Sequence, residues 1–216
     1  MSLHTESKQI AGSTGTQTAG STGTQTTGTG STGSPAATDA EPASTGVTLR
    51  APRITDAARL WQIADESQVL DVNSSYAYLL WCRDFAATSV VAESDGRVVG
   101  FVTGYLRPDA PGTLFVWQVA VDADQRGRGT GVAMLDWLVA TVTAPGHPAG
   151  GAVNALETTV SPDNPASIAM FASLARRRGA EMVRSALFEP DVFPDSHAAE
   201  DLYTISPIAR KNERDH

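Results

Sequence analysis

The most constraining feature of this sequence is the stretch VAVDADQRGRGTGVAML at residues 119–135, which changes character twice. It begins as an apolar strand-like run, passes through alternating arginines and glycines, and ends with the apolar spacing of a helix. Gly127, Gly129 and Gly131 permit positive φ angles and close backbone approach, so successive N–H groups can point into one concave space. Because that space lies at the N-terminus of the following helix, the stretch predicts a site for a phosphate or pyrophosphate.

Two familiar phosphate-binding patterns do not fit this loop. A dinucleotide-binding loop reads G-x-G-x-x-G, and a P-loop reads G-x-x-x-x-G-K-[ST]. Here the three glycines are spaced by two, and no Lys-Ser/Thr pair follows. A purely turn-forming role would explain one or two of the glycines, but not three of them interleaved with Arg126 and Arg128, so we favour an anion-binding loop of another kind.

The N-terminal segment is of low complexity. Residues 11–18, AGSTGTQT, are repeated letter for letter at residues 19–26. A segment with so few large apolar side chains cannot bury enough surface to offset the entropy of ordering it. We therefore expect a disordered tail over residues 1–46, one domain over residues 47–208 and a short C-terminal tail over residues 209–216.

Within the expected domain, strand-like and helix-like periodicity alternate, which predicts an α+β (α/β) domain with a central mixed sheet. The turn dipeptide Asp95-Gly96 between two β-rich runs predicts a hairpin, and Gly179 predicts the end of a helix. Strands are predicted at Val47–Pro52, Thr88–Ser94, Arg97–Arg107, Thr113–Val121, Ala152–Val160, Ala180–Phe188 and Asp201–Ser206; helices are predicted after a cap at Thr55 or Asp56 and over Ser75–Phe85, Val132–Val142 and Asn164–Arg178.

The Arg/Gly loop and the strand before it resemble the acetyl-CoA-binding motif of the GNAT N-acetyltransferases, whose pattern Gln/Arg-x-x-Gly-x-Gly/Ala fits Arg126, Gly129 and Gly131. The resemblance spans about residues 47–208 and implies a GNAT fold with a splayed central sheet flanked by helices. It implies that the loop binds the pyrophosphate of acetyl-CoA and that the preceding strand receives the pantetheine and the acetyl carbonyl. The implied cofactor residues are Val119, Ala120, Val121, Arg126, Gly127, Arg128, Gly129, Thr130 and Gly131.

The segment NPASIAMF resembles the second CoA-contacting helix of that family, in which an Asn opens the helix and a Tyr seven residues later often protonates the departing thiolate. Asn164 fits the first position, but Phe171 occupies the second. Both residues are expected to contact the cofactor. Since phenylalanine has no acidic proton, the thiolate must be protonated by another group or by water.

Four further segments, LDVNSSYAYLLWCRDFAATSVVA, FVTGY, VWQVAVD and DSHAAEDLY, resemble the diaminobutyrate acetyltransferases of ectoine biosynthesis. That resemblance implies transfer of acetyl from acetyl-CoA to L-2,4-diaminobutyrate, by direct attack of the amine, to give the N4-acetyl product. Alternatives are a GNAT enzyme acting on another small amine, an aminoglycoside or a peptide N-terminus, or a CoA-binding module without catalytic activity.

A small zwitterion with an additional ammonium group requires carboxylates for its amines and donors for its carboxylate. An ammonium with an ordinary pKa of ~10.4 must lose a proton before it attacks. We expect Glu157 to be the general base; the alternative is that it is a salt-bridged residue of its strand. The plainer alternatives are a helix cap for Asp71, packing for Tyr76, a core residue for Trp117 and an exposed loop residue for His197. The expected substrate-binding residues are Asp71, Tyr76, Trp117, Glu157, Thr158 and His197, the last by resemblance alone.

Composition limits the remaining possibilities. The formal net charge is -8, which argues against broad binding of nucleic acid or anionic membranes. The single cysteine, Cys82, excludes an internal disulfide and favours the cytoplasm, and its apolar neighbours suggest a core residue rather than a nucleophile. The four histidines are scattered without the spacing of a metal site, so none is expected. The resemblance also implies a homodimer.

Overall fold

A single mixed sheet of seven strands organises the chain in a computed structural model that describes residues 46–68, 70–148, 153–194 and 197–209. Apart from their innermost residues, the predicted tails lie outside the described residues. The strand order is β1-β2-β3-β4-β5-β7-β6. The strands are β1 Val47–Arg50, β2 Val90–Ser94, β3 Arg97–Arg107, β4 Ala110–Val121, β5 Ala155–Val160, β6 Glu181–Phe188 and β7 Glu200–Ser206; the helices are α1 Ala57–Ser67, α2 Ser75–Asp84, α3 Thr130–Val142 and α4 Pro165–Arg178.

The centre of the sheet contains its one parallel pairing, between β4 and β5, and every other neighbouring pair is antiparallel. The parallel ladder joins Thr113–Val116 to Ala155–Thr158 and then stops, although β4 continues to Val121. The two strands therefore diverge beyond Val116, which confirms the predicted mixed, splayed sheet. A gap between central strands leaves backbone N–H and C=O groups of β4 available for a ligand.

Helices cover both faces of the sheet and bury two apolar clusters. Helices α1 and α2 pack on one face through Leu60, Ile63 and Tyr78, against Phe101 of β3. Helices α3 and α4 pack on the other face through a larger cluster that includes Leu135. Strand β3 is buried on both faces over residues 98–104, whereas β4 and β5 alternate between buried and more exposed residues. The gap between β4 and β5 is therefore bordered by strands with one buried face and one more accessible face.

The start of β4 differs from the predicted boundary. The strand is predicted from Thr113, but it already begins at Ala110, which pairs with Arg107. The β3–β4 register shifts between Leu106 and Arg107. Pro111 and Gly112 of β4 therefore lie at an irregularity of the ladder, where the missing N–H of a proline is tolerated.

Candidate active site

The predicted anion loop has the backbone geometry that its glycines suggested. Gly127 and Gly129 adopt φ of +74° and +79°, and Gly129 is the N-cap of α3. The first N–H groups of a helix have no acceptor within the helix, and here they border a cavity of about 520 Å³, which we call the loop cavity. The hydroxyl Oγ1 of Thr130, also in its lining, is buried without a hydrogen-bond partner among the described residues. The loop is thus prepared to receive an anion.

Most of the expected cofactor residues line the loop cavity, together with part of α4. Arg128 is the one member of the loop set that does not line it, and Phe171 lines the neighbouring cavity instead. Gly131 has a second role, because a Cβ there would lie 2.7 Å from Sδ of Met170, so glycine lets α3 approach α4 closely. The predicted residues that line the loop cavity are Val119, Ala120, Val121, Arg126, Gly127, Gly129, Thr130, Gly131 and Asn164.

Asn164 confirms the predicted start of α4. Its Oδ1 accepts a hydrogen bond from the N–H of Ser167 at 3.1 Å, which is the geometry of a helix N-cap. The helix ends at Gly179 with φ of +64°, also as predicted. Asn164 lines both the loop cavity and the next cavity along the sheet.

A second cavity, of about 410 Å³, occupies the gap where β4 and β5 diverge, and we call it the splay cavity. It shares Val119, Asn164 and Met170 with the loop cavity, so the two adjoin. Thr158 and Phe171 line it from the side of α3 and α4. A ligand anchored at the loop can therefore extend along β4 into the centre of the sheet.

A β-bulge marks the point of divergence. On β3, Thr103 pairs with Gln118 and Gly104 pairs with Val116, which leaves Trp117 as the extra residue of β4. The Trp117 ring lies 4.8 Å from that of Trp81.

The neighbouring Gln118 is only 5% exposed and is held at both ends of its amide. Tyr78 donates to its Oε1 at 3.2 Å, while its Nε2 donates to the carbonyl of Asp71 at 3.0 Å. This pair of bonds fixes β4 against the loop between α1 and α2. Burial raises the pKa of the Tyr78 hydroxyl, which therefore stays protonated as a donor.

The third cavity, of about 550 Å³, lies on the α1/α2 face and is mainly aromatic, so we call it the aromatic cavity. It shares Trp117, Thr159 and Phe188 with the splay cavity. The rings of Tyr105 and Phe115 lie 5.3 Å apart in its wall. Among the described residues, its lining is Trp81, Tyr105, Arg107, Phe115, Trp117, Glu157, Thr159, Leu187, Phe188 and Leu202.

Glu157 and Arg107 are the charged residues in that lining and form an ion pair. Nη1 of Arg107 donates to Oε2 of Glu157 at 2.8 Å, with side chains 39% and 13% exposed. Strand alternation sends Thr158 to the opposite face of the sheet, where it is 2% exposed. The structure therefore places Glu157 in the aromatic cavity and its predicted neighbour Thr158 in the splay cavity.

Asp71 and His197 come together at the rim of the splay cavity although they are far apart in the chain. Nε2 of His197 lies 3.1 Å from Oδ2 of Asp71, and Nδ1 donates to the carbonyl of Ala198 at 2.7 Å. These two bonds raise the pKa of His197, since both favour the protonated ring. Its ring also stacks on Phe193 at 4.2 Å.

Glu200, which was not among the predicted site residues, lines the same cavity as this pair. Burial raises its pKa against the opposing effect of a hydrogen bond from Thr159.

Tyr76 does not join the other expected substrate residues. It is 64% exposed and lines none of the three cavities. Two residues further along α2, on the opposite side of the helix, Tyr78 is buried and bonds to Gln118.

Arg107, Gln118 and Glu200 were not among the predicted site residues. Their roles depend on pairings between distant segments, and the only local signal was a polar residue next to an apolar run.

Cys82 is buried on the inner side of α2, and burial raises the pKa of its thiol to about 11. Within the described part of the chain, no three His, Cys, Asp or Glu residues are grouped to hold a metal ion. No helix in the same part is both long enough and apolar enough to span a membrane.

Comparison with protein families matches residues 55–175 to the acetyltransferase (GNAT) family. The L-2,4-diaminobutyric acid acetyltransferase of Nocardia farcinica is 63% identical over 163 residues, which cover 76% of this chain and 81% of that protein. The enzyme of the same name from Virgibacillus pantothenticus is 42% identical over 164 residues, which cover 76% of this chain and 99% of its own length.

Among solved structures, the diaminobutyrate acetyltransferase of Paenibacillus lautus, in complex with its substrate L-2,4-diaminobutyric acid and coenzyme A, superposes with a TM-score of 0.69. It is 35% identical in sequence, and the match covers 77% of this chain and 98% of that one. The Ard1 protein of Thermoplasma volcanium, 21% identical with a TM-score of 0.57, shares the fold.

Proposed function

The chain belongs to the GNAT acetyltransferase family and, within it, to the L-2,4-diaminobutyric acid acetyltransferases, and from that premise we propose that it transfers acetyl from acetyl-CoA to the 4-amino group of L-2,4-diaminobutyrate. The product, N4-acetyl-L-2,4-diaminobutyrate, is the one required in ectoine biosynthesis. The observation that carries the proposal is the succession of three adjoining cavities: an anion loop, a gap between β4 and β5, and an aromatic cavity containing Glu157.

The first two cavities suit acetyl-CoA. The N–H groups at the start of α3 and the buried hydroxyl of Thr130 would hold the pyrophosphate. The unpaired part of β4, at Val119 and Val121, would bind the pantetheine as a neighbouring strand does, and a main-chain N–H there would stabilise the developing oxyanion. Acetyl-CoA supplies the activated acetyl group; these residues orient it toward the aromatic cavity.

The third cavity supplies the acceptor side. Trp117, at the junction of the splay and aromatic cavities, would contact the ammonium through its ring face. Glu157 carries a negative charge in its ion pair and would accept the proton of the 4-ammonium, directly or through a water. Asp71 and His197 would close the substrate side of the splay cavity.

We propose direct transfer without a covalent enzyme intermediate. The amine nitrogen forms a bond to the acetyl carbon, the carbon–sulfur bond breaks, the thiolate of CoA leaves, and the nitrogen loses its second proton to water to give the amide. The thiol of Cys82 has a pKa of about 11, so it is protonated at neutral pH and does not serve as a nucleophile. Phe171 cannot protonate the leaving thiolate, so water entering the splay cavity would do so.

The test is release of free CoA thiol with a panel of amines. L-2,4-diaminobutyrate should give the highest kcat/KM, ahead of an aminoglycoside, a peptide N-terminus and unrelated primary amines. Turnover of another amine with no turnover of diaminobutyrate would refute the assigned substrate, and tight CoA binding without turnover of any amine would favour a non-catalytic module.

We also propose that the enzyme is a homodimer and acts in the cytoplasm without nucleic-acid or membrane partners. The dimer is supported by β6, which lies at one edge of the sheet and exposes Val183, Leu187 and Phe188 by 43 to 51%. The proposed cytoplasmic location is supported by the presence of a single cysteine in the sequence. The proposed absence of nucleic-acid and membrane partners is supported by the net charge of -8. Sedimentation of the wild type and of a Val183→Lys variant tests the dimer: a monomeric wild type would contradict it.

A further inference from the structure

Arg107 is a cation with unused donors at the wall of the aromatic cavity. It is the last residue of β3, and Glu157 is its one partner among the described residues, reached through Nη1. A guanidinium has five N–H donors in a planar fork. With 39% of the side chain exposed, Arg107 can keep its bond to Glu157 and still present further donors to a ligand.

The surroundings of Arg107 suit a carboxylate attached to a short carbon chain. The rest of the lining is aromatic, aliphatic or hydroxyl-bearing, including Tyr105, Phe115 and Leu187. A carboxylate that leaves water for such a cavity needs a charged hydrogen-bond partner, and an arginine can bind it with two parallel bonds. Arg107 is the one arginine or lysine among the described residues of this lining, whereas the histidine of the splay cavity, His197, already hydrogen-bonds to Asp71.

The position of Arg107 also determines which amine reaches the thioester. Glu157, which holds Arg107, pairs in register with Phe115, and Trp117 at the point of strand divergence lies two residues further along β4. Two residues of strand span about 7 Å. In 2,4-diaminobutyrate the 4-amine lies three carbons beyond the carboxylate, about 5 to 6 Å away when extended, whereas the 2-amine is one carbon away. An anchored carboxylate would let only the 4-amine approach Trp117.

We propose that Arg107 binds the α-carboxylate of the amino-acid acceptor, so that it selects an amino acid over a simple diamine and directs the 4-amine to the thioester. This inference rests on the proposed function, since it assigns a residue to the recognition of that substrate.

The test compares two acceptors that differ only in the carboxylate. 1,3-Diaminopropane is 2,4-diaminobutyrate without its carboxyl group. The wild type should strongly prefer diaminobutyrate. Arg107→Met should lower kcat/KM for diaminobutyrate by about 10- to 100-fold more than for diaminopropane, which is the effect of losing a charged hydrogen-bond pair. If Arg107 only positioned Glu157, both substrates would lose activity by the same factor, and the proposal would be overturned.

Two further variants complete the design. Arg107→Lys keeps the charge without the planar fork, and it should retain more of the preference for diaminobutyrate than Arg107→Met. If the Arg107→Met protein did not fold, Arg107→Gln, which is also uncharged, would replace it, and an unchanged preference in that variant would overturn the proposal. Arg83→Met is the matched control, because Arg83 is an exposed arginine paired with Asp84 at 2.7 Å outside the three cavities.

The outcomes separate this inference from the proposed function. A wild type that does not acetylate diaminobutyrate refutes the function itself. A wild type that prefers diaminobutyrate, together with an uncharged Arg107 variant that keeps the same preference, refutes the carboxylate anchor alone.

Discussion

Replacing Glu157 with glutamine tests the proposed base with little change of shape. Glutamine keeps an oxygen that can accept the hydrogen bond from Arg107, but it has no negative charge and does not accept a proton. At pH 7.4 an amine with an ordinary pKa of ~10.4 is unprotonated in about one molecule per thousand. A positioned base contributes about 10²- to 10⁴-fold. We therefore expect kcat/KM for diaminobutyrate to fall by about 100- to 1000-fold at this pH.

The same substitution should leave the fold and the cofactor site nearly unchanged. The Arg107 side chain is 39% exposed, so the ion pair is partly screened by water and its loss should cost about 1 kcal/mol or less in the free energy of unfolding. Glu157 lines the aromatic cavity and not the loop cavity. Urea denaturation and calorimetric titration with CoA should accordingly give values close to those of the wild type.

The pH dependence distinguishes a base from a residue that only binds substrate. Without its base the variant relies on amine that is already unprotonated, so its kcat/KM should rise about tenfold per pH unit between pH 7 and 9.5 and approach that of the wild type. Glu66→Gln, at a glutamate 64% exposed and outside the three cavities, is the matched control and should behave as the wild type does. An equal loss at every pH, or unchanged kinetics, would refute Glu157 as the base.

Three further predictions follow from the backbone and the titrating groups. Gly129→Ala places a side chain at φ of +79°, so it should destabilise the protein by about 1 to 2 kcal/mol and weaken CoA binding; unchanged CoA affinity would contradict the role of the loop. Cys82→Ala should retain kcat, because a buried thiol with a pKa of about 11 is not a nucleophile; inactivity in a folded variant would rule out direct transfer. The pKa of His197 is raised above 6.5, so its charged contact with Asp71 is fully present below that pH and is lost as the pH rises through the raised value. An NMR titration should therefore place the midpoint of His197 above 6.5 and show a lower midpoint in Asp71→Asn. An unshifted midpoint in that variant would contradict the contact.

Features of the fold that depend on local sequence could be predicted well. Gly127 and Gly129 of the anion loop adopt the positive φ angles that only residues without Cβ tolerate easily, and Asn164 and Gly179 begin and end α4 where expected. The hairpin at Asp95-Gly96 is also present. In each case the chemistry of one or two adjacent residues determines the conformation, so the signal can be read without knowing the rest of the fold.

Features that depend on strand register could not be predicted. The pairing of Arg107 with Glu157 joins residues 50 positions apart, and it exists because β3, β4 and β5 align with one particular register. The bulge at Trp117 is visible only when β4 is paired with β3. The exposure of Tyr76 follows in the same way from the orientation of α2 on the sheet.

The contact between Asp71 and His197 is an intermediate case. The sequence suggested each residue separately as a substrate ligand, one from the polarity of its segment and the other from family resemblance. The structure brings them within 3.1 Å through two loops that meet over the splay cavity. A sequence can thus identify reactive residue types, but the distance between them is set by the packing of segments that are far apart along the chain.

The most direct test of the account is the regiochemistry of the product formed from acetyl-CoA and L-2,4-diaminobutyrate, determined by two-dimensional NMR of the purified amide. A single product is expected, with the acetyl carbonyl correlated to the protons of carbon 4 and the α-amine left free. Acetylation at the α-amine, or a mixture of the two amides, would contradict the proposed orientation of the substrate between Arg107 and the gap in the sheet.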